Sequence, residues 1–155
     1  MAFKNFSIWR GRLPHWRADD VTYYVTFKHS RALAEWEREL LVRALTRPEG
    51  SKWDLLVLCV LPERTELIFT VRDSPSGQPY ELSGIVEKAK SKVGKAILKK
   101  TEERFPPFYG ESYDRIIRDE VELEERLHTI YRSPEDEELC EDASQYAGLW
   151  VREFE

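Results

Sequence analysis

Residues 53 to 71 read WDLLVLCVLPERTELIFTV. Trp53 to Leu61 is apolar but for Asp54, a composition suited to a strand buried on both faces and therefore central in its sheet. Pro62, Glu63 and Arg64 interrupt it, and Leu67, Phe69 and Val71 then alternate with Glu66, Ile68 and Thr70. Two strands joined by a tight turn follow from that pattern. Arg64, Thr65 and Glu66 stand where the second strand leaves the turn, on the stiff centre of a sheet, where a protein can hold side chains in fixed geometry.

Upstream, VTYYVTFK (residues 21 to 28) is rich in β-branched and aromatic residues, with Tyr23, Val25 and Phe27 on one face, and reads as a first strand. Leu33, Trp36, Leu40, Leu41 and Ala44 recur at helical spacing, and Pro48-Glu49-Gly50 ends that helix. Downstream, RDSPSGQP (residues 72 to 79) is a flexible loop, a plain connection or a lid. A second helix spans Leu82 to Arg104 and stops at Phe105-Pro106-Pro107-Phe108. Ser112 to Ile117 is short and alternating enough for a last strand. A final helix covers Asp119 to Tyr131, with Asp119 as N-cap and Glu122 as its capping-box partner. The order is that of an α+β, ferredoxin-like sandwich: an antiparallel sheet, helices packed on one face and an extra C-terminal helix. Residues 1 to 155 form a single domain, with a basic and aromatic arm at 1 to 20 and an acidic tail at 135 to 155.

The composition, 41% apolar and 34% charged over 155 residues, is that of a folded domain rather than a disordered chain. Neither a signal-peptide core nor an apolar run long enough to span a membrane is present, so a cytoplasmic location is expected. Cys59 and Cys140 offer no metal-ligand spacing and no persuasive disulfide.

A net charge of −5 argues against a polyanionic partner, but its distribution does not. Residues 1 to 104 carry 19 Lys and Arg against 14 Asp and Glu, whereas residues 105 to 155 carry 5 against 15. On the second helix Lys88, Lys92, Lys95 and Lys99 fall on one face, a cationic ridge about 16 Å long. In the arm, Lys4, Arg10, Arg12 and Arg17 interleave with Phe3, Phe6, Trp9 and Trp16. Cations for phosphates and rings for bases suit a single strand of nucleic acid. Both features also have plain explanations, a solvated helix face and rings packed on their own domain.

Three stretches, RLPHWRADDVTYYVTF, WDLLVLCVLPERTELIF and ESYDRIIRDEVELEERLHTIYRSPED, resemble in order and separation the REP-associated tyrosine transposases, insertion-sequence-200-like enzymes of the single-tyrosine class. The resemblance implies cleavage of single-stranded DNA beside a hairpin by a tyrosine hydroxyl. Two histidines and a polar residue of the last helix would hold a divalent ion such as Mg or Mn against the scissile phosphate. Pro62 matches the family's proline, but the histidine positions fall on Arg64 and Glu66, the nucleophile on Thr129 and the third ligand on Ser133.

The framework matches and the reactive groups do not, so the expectation is a DNA-binding protein without catalytic residues, cofactor or metal. Arg64 has no lone pair for an ion and would instead present a fixed cation to a phosphate, or pair with Glu66 as an ordinary salt bridge. Tyr131 lies about 200° around the helix from Thr129, and His128 100° from it, so neither replaces the nucleophile. Tyr23, Tyr24 and Tyr113 belong to the core or the sheet surface. The expected DNA contacts are Arg12, His15, Trp16, Arg64, Lys88, Lys92, Lys95 and Lys99, on single-stranded or hairpin DNA. Two other readings stand beside this one: a protein-interaction module, compatible with a homodimer, and residual strand cleavage or transposition through unorthodox residues.

Overall fold

The computed structural model describes residues 21–78 and 81–152. The arm expected to carry Arg12, His15 and Trp16 lies outside the described residues. The elements are β1 (Thr22–Lys28), α1 (Glu35–Thr46), β2 (Trp53–Val60), β3 (Arg64–Val71), α2 (Leu82–Lys100), β4 (Tyr113–Ile117), α3 (Glu120–Asp136), a 3₁₀ turn (Ala143–Gln145) and β5 (Leu149–Val151). One antiparallel sheet has the order β4-β1-β3-β2-β5. This is the α+β sandwich expected from the order of elements.

Alternation along the strands sorts the core into two layers. Val25, Phe27, Leu67 and Phe69 point to one face, where Leu41 and Leu45 of α1 and Ile85, Val86, Val93 and Ile97 of α2 cover them. Ile68, Cys59, Leu61 and Ile117 point to the other, where Leu123, Leu127 and Ile130 of α3 cover them. The C-terminal helix thus closes the face opposite α1 and α2, which explains why β2 is apolar apart from Asp54. A register shift between Leu55 and Val57 puts Leu55 on the first layer and both Leu56 and Val57 on the second. Trp53 and Phe69 are fully buried with ring centroids 4.4 Å apart. Each large apolar side chain so buried stabilises the fold by roughly 1.5–3 kcal/mol before entropy is counted.

The acidic segment is surface along much of Glu135 to Asp142, but its continuation is not a tail. Leu149–Val151 adds a fifth strand to the outer edge of β2, and the Gly148 carbonyl accepts the Val60 N–H at 2.8 Å. Three residues with no alternation left this strand unreadable in the sequence; its pairing makes β2 internal. Two helix starts differ in chemistry. At α3 the Asp119 carboxylate accepts the Glu122 N–H at 2.7 Å, the cap expected from the sequence, although the Glu122 side chain turns to Arg115 and Arg126. At α1 the cap residue is Ala34, which has no acceptor, and the Glu37 carboxylate reaches back to its N–H at 2.7 Å. Helix α3 also runs five residues past the expected end, through Pro134 to Asp136.

Candidate functional site

Two places on this frame concentrate polar groups, the turn after Leu61 and the outer surface of α1 and α2. The turn is closed by the Leu61 N–H donating to the Arg64 carbonyl at 2.8 Å. Arg64 and Glu66, two apart on β3, share the face covered by α3. Arg64 Nε donates to Glu66 at 2.8 Å, and its Nη2 donates to Glu137, beyond the end of α3, at 2.5 Å. Partial burial opposes the charge, but the bonds to Glu137 and Glu66 outweigh it and raise the guanidinium pKa. Arg64 is therefore not the lone fixed cation expected for a phosphate. With two carboxylates on one guanidinium, the locus is net negative.

Glu137 was missed as a member of this group, and its signal is spacing. Thr129, Ser133 and Glu137 recur every four residues, the first two on one flank of α3 and Glu137 just past its end. Within that flank the Thr129 hydroxyl donates to the Glu125 carbonyl at 2.9 Å and the Ser133 hydroxyl to the Thr129 carbonyl at 2.9 Å. Thr129 is exposed and Ser133 buried. Tyr131 points elsewhere, buried against Ala143, Leu149 and Val151. Burial raises its phenol pKa, with Asp142 and Glu135 adding to the effect. Two phenols lie nearer the turn: that of Tyr146 donates to the Val60 carbonyl at 2.9 Å, and that of Tyr24 lies under Arg126, whose guanidinium is 4.5 Å from the ring centre. Burial first and the Glu66 carboxylate second push the Tyr24 phenol up as well, away from the ionised form a nucleophile needs.

Would these residues hold a divalent ion? A guanidinium offers no lone pair, and both carboxylates that meet it are occupied by it. Among the described residues no three His, Cys, Asp or Glu side chains group as a metal site. The donor set does not fit the ion that the family resemblance implies.

On the other face of the sheet, His29 pins the turn from behind. Its Nδ1 donates to the Pro62 carbonyl at 2.8 Å, which leaves Nε2 to accept the Thr65 hydroxyl at 2.8 Å. Burial lowers its pKa to about 4, with the charges of Lys90 and Arg31 helping and the Pro62 hydrogen bond opposing.

Helix α2 separates its lysines by face. Lys90 is buried, donating to the Tyr109 carbonyl at 2.7 Å with its ammonium 5.0 Å from the Phe27 ring centre. Lys88, Lys92, Lys95 and Lys99 are all exposed, as the spacing requires. Helix α1 lies alongside and antiparallel: Trp36 neighbours Lys100 at one end, and Arg47 neighbours Lys88 at the other. Arg43 and Arg47 thereby join Lys92 on the same surface. Among the described residues none of these six cations is in an ion pair, in contrast with Arg64.

No family model matches the chain, and no curated protein matches it either. Among solved structures the chain is similar to the structure of the REP-associated tyrosine transposase bound to a REP hairpin. The TM-score is 0.61 at 13% identity, over 86% of this chain and 80% of that one. At that identity the likeness is one of fold, and it agrees with the sheet and helix arrangement described above.

Proposed function

We propose that this protein binds single-stranded or hairpin DNA through the α1–α2 surface and does not cleave it. The observation that carries this reading is the row of exposed cations, Lys88, Lys92, Lys95 and Lys99 with Arg43 and Arg47, none of them in an ion pair among the described residues, on a chain whose net charge is −5. Cations gathered against the overall charge form a footprint for phosphates. The fold likeness to a transposase that holds a REP hairpin supports the choice of DNA. Absence of cleavage follows from chemistry: Thr129, Ser133, Arg64 and Glu66 cannot ligate an ion and attack phosphorus as imidazole and phenol do. Arg64, tied to Glu66 and Glu137, supports the turn and contributes no phosphate contact.

Fluorescence anisotropy with a REP-type hairpin at low salt tests the reading. Binding that weakens steeply with salt and disappears in a variant with all four ridge lysines changed to Glu is expected. No binding at low salt would sink it. Incubation with hairpin DNA and Mn²⁺ is expected to leave no covalent adduct.

A second reading, self-association, is favoured by one feature. Strand β4 is an outer strand of the sheet, and its Tyr113 and Ile116 are exposed. A dimer that dissociates on Ile116→Lys in analytical ultracentrifugation would establish it.

A further inference from the structure

We infer that the cleft between α1 and α2 is a nucleotide site, which takes one phosphorylated nucleoside with its base against an apolar floor. The inference rests on the proposed DNA reading for its ligand class and goes beyond it in assigning a pocket rather than a charged surface. The cleft has a volume of about 510 Å³, within the range of small-molecule sites. Ala44, Pro48, Ile85 and Ala89 form its apolar part, and the cations Arg47, Lys88 and Lys92 stand around it; Ser51, also on its wall, donates its hydroxyl to the Pro48 carbonyl at 3.0 Å. Among the described residues no carboxylate lines it.

The groups that could oppose an anion here are engaged elsewhere. Two acids adjoin the cleft residues in the chain: Glu49, beside Pro48, accepts the Leu55 N–H at 3.2 Å and pairs with Arg152, and Glu87, beside Lys88, pairs with Lys90 at 3.3 Å. The carbonyls at the end of α1 would repel a phosphate, but those of Val42 and Arg43 accept the Thr46 hydroxyl, that of Arg43 the Arg47 N–H and that of Thr46 the Glu49 N–H. An apolar floor alone would suit any hydrophobe, and cations alone any anion. Their combination in one cleft selects a ligand with a flat apolar part joined to a phosphate. That unit can be a free mononucleotide or one unpaired nucleotide of a DNA strand.

The test is an NMR titration of the full chain with 2′-deoxyadenosine 5′-monophosphate, and in parallel with inorganic phosphate. Expected are saturable shifts confined to residues around 44–52 and 85–92, with phosphate alone about tenfold weaker because it lacks the apolar contact. Ala44→Phe, which fills the cleft, and Lys88→Glu should each weaken the nucleotide about tenfold. Lys99→Glu, outside the cleft, should not. Lys88 is exposed, so its variant remains informative if Ala44→Phe fails to fold. Equal affinity for phosphate and nucleotide, or no shift in the cleft at millimolar nucleotide, overturns the inference. Hairpin DNA separates the two claims. If hairpin binding is intact and sensitive to Lys99→Glu while the nucleotide leaves the cleft unmoved, the DNA reading survives and the pocket does not. If the nucleotide binds the cleft and no hairpin binds, the pocket survives alone. Competition by a hairpin with an unpaired overhang, and not by a blunt one, identifies the strand as the source; no competition by either identifies the free nucleotide.

Discussion

His29 Nε2 and Thr65 Oγ1 lie 2.8 Å apart, and with the bond from Nδ1 to Pro62 this contact fastens the end of β1 to the β2–β3 turn. The chain after α2 closes the other side of the imidazole, with the Phe108 ring edge-on at 5.6 Å. The Pro62 carbonyl can only accept, so Nδ1 carries a proton, and in the neutral ring Nε2 accepts from the Thr65 hydroxyl.

Acid should therefore unfold the protein partly through His29. Its folded pKa is lowered to about 4 from the ordinary 6.5. Between those values the unfolded chain binds a proton that the folded one refuses, so stability falls as pH drops through that window and levels off below it. The loss should reach roughly 3 kcal/mol at its limit, from about 1.4 kcal/mol per pKa unit. Urea unfolding at several pH values, on the wild type and on His29→Gln, measures it; an unchanged pH slope in the variant would assign the effect to other groups.

Introducing imidazoles at positions 64 and 66 should create a metal site without creating cleavage. Arg64 and Glu66 project from one face of β3 beside Glu137, so R64H/E66H places two nitrogen ligands and a carboxylate together. Mn²⁺ should raise the melting temperature of the double variant and leave that of the wild type unmoved. DNA should stay uncut in both, because Thr129 is the residue on that flank and Tyr131 is buried away from it. Calorimetry with and without Mn²⁺ reads the first part, and a covalent-adduct gel the second.

Each ridge lysine should contribute uniformly to DNA affinity. For single-stranded DNA the logarithm of the binding constant falls by about 0.7 per phosphate contact for each decade of salt. Lys95→Ala should reduce that slope by about 0.7, with the same proportional loss for unrelated sequences. A loss confined to one sequence would mean that Lys95 reads a base.

Gly148→Ala should detach β5. A Cβ there would run into the Val60 carbonyl oxygen and meet the Tyr146 ring at 2.6 Å. Neither can retreat, since that carbonyl also accepts the Tyr146 hydroxyl at 2.9 Å. The expected cost is about 1–3 kcal/mol, the usual range for overpacking. Hydrogen exchange should show lost protection at Leu149–Val151 and along the outer edge of β2.

Local pattern by itself determined the hairpin, the first strand, the helix carrying the lysine ridge and the Asp119 cap, because each is written in residues a few positions apart. Alternation assigns side chains to the faces of a strand, and a four-residue period assigns them to the flanks of a helix. Spacing alone puts Leu67 and Ile68 on opposite faces, and Lys88 and Lys92 on one flank. What covers a face is a different matter. That Glu137 meets Arg64, that α3 closes the sheet opposite α1, that Leu149–Val151 makes β2 internal and that Arg47 joins Lys88 across a cleft are all contacts between distant segments. The tertiary structure alone decided them, because the apolar stripe of a helix is satisfied by any complementary surface and only chain closure and packing choose which one it meets.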